Sequence, residues 1–139
     1  MMDPVLVVIS IGSAAGLGAV VGLERELTGQ PAGLRTHIIL AIGAALASML
    51  SISFSYDFSS PEFRSDPARI VAQVVSGVGF LGAGAIMKFG VNVKGLTTAT
   101  SLWTTAIIGI ACGAQYYQAA AVATACVLLA LTLVNKLGS

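Results

Sequence analysis

The stretch from Asp66 to Thr105, DPARIVAQVVSGVGFLGAGAIMKFGVNVKGLTTATSLWTT, decides how the chain is read. It holds two apolar segments joined by a short loop carrying Lys88 and Lys94. Glycines at Gly77, Gly79, Gly82 and Gly84 would leave a helix here with almost no side-chain bulk on two faces. At about 100° per residue, Gly77 and Gly84 share one face while Gly79 and Gly82 lie nearly opposite. Small residues let helices approach each other closely in lipid, so the pattern predicts the central, two-sided helix of a compact bundle. The run Gly77-Val78-Gly79-Phe80-Leu81-Gly82 also matches the spacing of a dinucleotide-binding fingerprint. That fingerprint needs a preceding strand and a βαβ unit, and neither is present in the pattern around it.

Working outward, the chain has 139 residues, 56% of them hydrophobic and 9% charged, with a mean hydropathy of +0.91. A soluble domain normally carries about a quarter charged residues, so this composition predicts an all-α integral membrane protein. A spanning helix needs about 20 mostly apolar residues. Uncharged stretches of about that length run over residues 4–23, 38–55, 70–87, 96–114 and 118–134. The expected architecture is a single transmembrane domain over residues 1–139, a bundle of about five helices. The first stretch follows Met1-Met2-Asp3 with no positive n-region and exceeds a signal peptide's h-region in length, so it is expected to stay in the mature protein.

Orientation follows from the basic residues. With the N-terminus outside, Arg25, Arg35, Lys88, Lys94 and Lys136 face inward and only Arg64 and Arg69 outward, five against two. The positive-inside rule then favours N-out, C-in. Asp3, Asp57, Glu62 and Asp66 fall outside in this scheme, as do Tyr56, Tyr116 and Tyr117. The net charge of +1 suggests no nucleic-acid partner. Cys112 and Cys126 should differ in depth by roughly 10 Å if the last hairpin turns near Gln115 and Tyr116. A disulfide needs Cα atoms within about 7 Å, so free thiols are expected.

Asp3-Pro4 reads as a helix start, an acid able to cap followed by proline at the first helical position. The first helix then carries Gly12, Gly16, Gly18 and Gly22, and the fourth Gly109 and Gly113, all spaced for close helix contact. Glu24, Arg25 and Arg35 cluster near its end, either as snorkelling, paired residues of a wet interface or as the lining of an inner vestibule. His37 reads as an interfacial residue. Asp66-Pro67 repeats the capping device, yet Asp66, Arg69, Gln73 and Gly77 also form one stripe at helical spacing. A polar amide several residues into the bilayer must find a partner. Asp57, Glu62 and Asp66 could gather a hydrated Mg²⁺, which needs only one or two carboxylates, although Arg64 and Arg69 sit among them. Thr97, Thr98, Thr100, Ser101, Thr104 and Thr105 fall within an arc of about 160° on the fourth helix, predicting a polar seam turned toward the bundle interior. No nucleophile-base pair, metal-ligand cluster or phosphate-binding loop is legible, so no enzyme and no bound cofactor are expected.

Five segments together carry a resemblance: Gly22-Leu23-Glu24-Arg25-Glu26, Pro31-Ala32-Gly33-Leu34-Arg35-Thr36-His37, Asp66-Pro67-Ala68-Arg69-Ile70, the glycine run from Gly77 to Gly84, and Gly95-Leu96-Thr97-Thr98-Ala99. In this order and over nearly the whole chain, the sequence resembles the MgtC/SapB family of bacterial membrane proteins. The resemblance implies a multi-pass protein of the bacterial inner membrane. It further implies support of growth at low Mg²⁺ and of survival inside macrophages, with restraint of the proton-translocating ATP synthase or an effect on membrane potential. By the same resemblance Asp66, Glu24, Arg25 and Arg35 are the positions expected to matter. Many relatives continue into a soluble cytoplasmic domain, whereas this sequence stops at Ser139. Two functional expectations result: a regulator working through helix contacts with itself, as a homodimer, and with partner membrane proteins, or a small transporter for Mg²⁺ or another solute. The second would join the acidic stripe of the third helix to the hydroxyl seam of the fourth.

Overall fold

A computed structural model describes residues 2–89 and 92–138, with side chains over residues 2–86 and 92–134. Five α-helices follow one another: α1 Pro4–Leu27, α2 Leu34–Asp57, α3 Arg69–Gly84, α4 Leu96–Gly113 and α5 Tyr117–Gly138. A short antiparallel hairpin of Met87–Phe89 (β1) and Asn92–Lys94 (β2) lies between α3 and α4. Lys88 and Lys136, used above for orientation, have side chains outside the described part.

Local chemistry sets the boundaries. Asp3 caps α1, its carboxylate accepting from Val5 N–H at 3.0 Å with Pro4 behind it, so the first turn loses no bond to the missing proline donor. After α1 the chain reverses through Gly29, at φ +73°, a left-handed conformation that costs glycine little. Gly33 precedes α2, and a Cβ there would displace the flexible Glu26 carboxylate, whose Oε1 would lie 2.6 Å away. The α4–α5 turn is closed by Gln115 in the left-handed region, at φ +68°, with Tyr116 N–H donating back to the Ala111 carbonyl at 2.8 Å. This is the bond pattern of a helix C-cap that more often carries glycine.

Four helices, α1, α2, α4 and α5, are long and apolar enough to cross a membrane. Helix α3 has 16 residues, or about 24 Å at 1.5 Å per residue, somewhat less than the hydrocarbon thickness of about 30 Å. Its first turn is tied to the far end of α2: Ser51 Oγ donates to the Pro67 carbonyl at 2.6 Å and accepts from Ile70 N–H at 3.2 Å. Its other end reaches Ala99 at the start of α4 through Gly82. The three therefore alternate in direction.

The centre lies elsewhere than expected. Helices α1, α2 and α4 pack mutually, α4 also touches α3 and α5, and α3 leans mainly on α4 and α2. The small residues of α1 and α4 explain why. A Cβ at Gly18 would fall 2.8 Å from the His37 carbonyl oxygen and one at Gly22 2.8 Å from Leu34 Cα, so α1 rests on the α2 backbone. From the other side Gly109 and Gly113 press against Ala41 and Ala45 of the same helix. Helix α2 is thus gripped between two glycine pairs. A core of Ala14, Ala41, Ala45, Ile108, Cys112 and Ala120 fills the space between.

The third helix is accordingly peripheral, correcting the two-sided reading. Only Val78 and Gly82 along it are buried, and a Cβ at Gly77, Gly79 or Gly84 would meet nothing within 4 Å. The same holds for Gly12 and Gly16 of α1, which therefore do not pack within the chain. Spacing alone predicts closeness for all these glycines, but closeness needs a facing backbone, and α2 and α4 face α3 from one side only. Both cysteines are free, Cys112 buried and Cys126 exposed.

Candidate functional site

At the end of the bundle where α1 finishes and α2 begins, five polar side chains are withdrawn from the surface: Arg25, His37, Thr98, Ser101 and Thr105. Arg25 reaches its position because α1 continues past Gly22, where the absent side chain lets α2 close over it. Its Nε donates to Glu24 Oε2 at 2.9 Å, and both side chains are almost wholly buried, 5% and 9% exposed. A charge withdrawn this far requires a partner, and Glu24 is that partner.

His37 is fully buried, where an interfacial position was expected. Its Nδ1 donates to the Gly33 carbonyl at 2.8 Å, one turn back along α2. Because a carbonyl oxygen can only accept, that bond places a proton on Nδ1. On the other side of the ring, Nε2 lies 3.0 Å from Ser101 Oγ of α4, and Ser101 in turn lies 2.9 Å from the Thr98 carbonyl. Burial follows from Gly22, whose ideal Cβ would stand 2.9 Å from His37 Cβ. The notch on α1 is what admits the imidazole. Glu24 and Arg25 are near enough for their charges to act on the ring.

The hydroxyl arc of α4 is divided by this packing. Thr98, Ser101 and Thr105 face the interior, Thr104 is half-buried, and Thr97 and Thr100 are exposed, with Thr100 bonding back to the Leu96 carbonyl of its own helix. The predicted interior seam is therefore only the edge of the arc nearest α1 and α2. Thr105 lies one turn beyond Ser101 on that edge, and its Oγ1 is the buried side-chain polar atom left without a partner among the described residues.

Other expected site residues lie apart from this cluster. Arg35 is exposed, as are Asp66, Arg69 and Gln73. Asp66 Oδ1 accepts from Ala68 N–H at 2.9 Å in the turn before α3, while the cap position of that helix is Ala68 itself, without a side-chain bond. Asp57 accepts from Ser53 at 3.3 Å. Among the described residues no three His, Cys, Asp or Glu side chains gather to hold a metal ion, so Asp57, Glu62 and Asp66 do not converge. Asp66, Arg69 and Gln73 are exposed while Thr98, Ser101 and Thr105 of α4 are buried, so the stripe opens to the outside of the bundle and the seam to its interior. At the opposite end of the bundle, a cleft of about 520 Å³ opens between α1, α2 and α4 beside Asp3, Met49, Tyr56 and Asp57.

Sequence reading did not pair His37 with Ser101. Such a pair resembles a nucleophile with its base, but both side chains are buried in the bundle. Spacing gave one usable hint, since Gly18 and Gly22 mark where a bulky residue of a neighbour can sit.

These features define a multi-span helical membrane protein with a buried polar cluster at one end. A profile of the MgtC family matches residues 11–139, and the chain belongs to that family. It is 43% identical to Protein MgtC of Salmonella typhimurium over 129 residues, 93% of this chain and 52% of that protein. Protein MgtC of Brucella abortus is 45% identical over 121 residues, 87% of this chain and 48% of the relative. The chain thus spans about half the length of the curated relatives it matches. No solved structure matches it.

Proposed function

We propose that the chain is a non-enzymatic regulator of the bacterial inner membrane, oriented N-out and C-in, that acts through helix contacts with a second copy of itself and with partner membrane proteins. In this reading it supports adaptation to low Mg²⁺ and survival inside host cells by modulating the ATP synthase or the membrane potential. One observation carries the reading. Helix α3 packs on one side only, and its free side presents Gln73, Gly77 and Gly84 outward. A side-chain amide exposed toward lipid gains from a hydrogen-bonding neighbour, and glycines beside it let that neighbour come close. Membership of the MgtC family supports the same reading.

The transporter alternative, for Mg²⁺ or another small solute, has less support. Its two halves, the α3 stripe and the α4 seam, face different directions, and alanines fill the space between α1, α2 and α4. The regulator reading is tested with Gly77→Leu and Gly84→Leu. Neither replacement meets an internal neighbour, so the fold should survive while association in membranes and growth at low Mg²⁺ are lost. Retention of both in the folded variants would refute it. Gly113→Leu cannot serve here, because Gly113 presses on Ala45 inside the bundle.

A further inference from the structure

The hydrogen bonds around His37 can close with one ring proton or with two. Nδ1 spends its proton on the Gly33 carbonyl, so a neutral imidazole offers Nε2 as an acceptor only. Ser101 has one hydroxyl proton and two acceptors within reach, Nε2 at 3.0 Å and the Thr98 carbonyl at 2.9 Å. With His37 neutral, the hydroxyl donates to Nε2 and the Thr98 carbonyl keeps the backbone bond of its own helix. With a proton added at Nε2, every direction is filled: Nε2–H donates to Ser101 Oγ, and the hydroxyl turns to donate to Thr98.

We propose that His37 and Ser101 form a buried proton-binding site in which uptake of one proton from water reverses the direction of the Ser101 hydroxyl. No covalent bond other than N–H is made, and release restores the first arrangement. This inference does not depend on the regulatory reading above.

The surroundings suit a site that holds a proton. Facing His37 from α1 are Glu24 and Arg25, whose opposite charges cancel, so uptake takes the cluster from net zero to +1. From α4 the Ser101 hydroxyl meets it, with Thr98 and Thr105 buried on the same edge of that helix. On α2 itself, Arg35 is exposed. Thr105 extends the hydroxyl line by one turn, and its unpartnered Oγ1 can take a water, as buried polar groups without protein partners commonly do.

The test uses the fact that His37 is the chain's one histidine. The whole protein, ¹⁵N-labelled at histidine and held in lipid nanodiscs, is titrated by NMR between about pH 4 and pH 9, a range that brackets ordinary histidine titration. The neutral ring is expected as the Nδ1–H form, converting reversibly to a ring protonated on both nitrogens. Ser101→Ala should displace the midpoint by about tenfold in proton affinity, since hydrogen bonds to charged groups are the strong ones. Ser101→Thr, which keeps the hydroxyl, should restore it. An Nε2–H neutral form, a ring that never titrates in this range, or a midpoint indifferent to Ser101→Ala would each overturn the proposal. The first two are read on the unsubstituted protein and do not depend on a variant folding.

Discussion

Gly109 of α4 lies so close to Ala41 of α2 that a Cβ added to it would fall 2.5 Å from the Ala41 carbonyl oxygen. Backbone, unlike the end of a flexible side chain, cannot move aside cheaply. Gly109→Ala and Gly113→Ala should therefore each destabilise the bundle by about 1–3 kcal/mol, the usual cost of overpacking. Gly77→Ala, which meets nothing within 4 Å inside α3, should instead stabilise by up to about 1 kcal/mol through the helix preference of alanine. Thermal unfolding in detergent, followed by the exposure of buried Cys112 to a thiol reagent, measures both. Equal effects at Gly109 and Gly77 would contradict the grip on α2.

The turn between α4 and α5 makes a prediction of opposite sign. Gln115 holds φ +68°, a left-handed conformation that costs a residue with a Cβ about 1 kcal/mol. Gln115→Gly removes the strain but gives the unfolded chain more freedom, which offsets part of the gain. A net stabilisation of up to about 1 kcal/mol should appear in the same unfolding measurement, and a loss would show that the glutamine side chain is needed there.

The Glu24–Arg25 pair predicts strong non-additivity. Removing either partner strands the other charge in a site with almost no water. Glu24→Ala or Arg25→Ala alone should cost about 3 kcal/mol or more, whereas replacing both with methionine should recover most of the loss. A double-mutant cycle on unfolding free energy reads this coupling. Additive losses would mean that the pair is solvated and independent.

The four long spans and the last hairpin were legible because hydropathy and helix length are local properties: Pro4–Leu27 and Leu34–Asp57 announce themselves without any neighbour. What sits at the centre was not legible. Gly109 and Gly113 share the spacing of Gly12 and Gly16, yet only the first pair meets another backbone, because spacing along one helix carries no information about which helix stands opposite. His37 illustrates the same limit at the site. One turn inside a helix start, it has the sequence context of an interfacial residue. Its burial depends on a missing side chain at Gly22 and a hydroxyl 64 positions later. Thr98, Ser101 and Thr105 are buried, but the predicted arc was too wide to say which edge faced inward.

The central claim is that the free face of α3 is a contact surface, and cysteine crosslinking in native membranes tests it most directly. With Cys112 and Cys126 replaced by serine, single cysteines at Gln73 and Gly77 should give crosslinked dimers or larger adducts. A cysteine at buried Val78, on the packed side of the same helix, should give none. Monomer alone from Gln73 and Gly77, in a protein that is inserted and folded, would contradict the account.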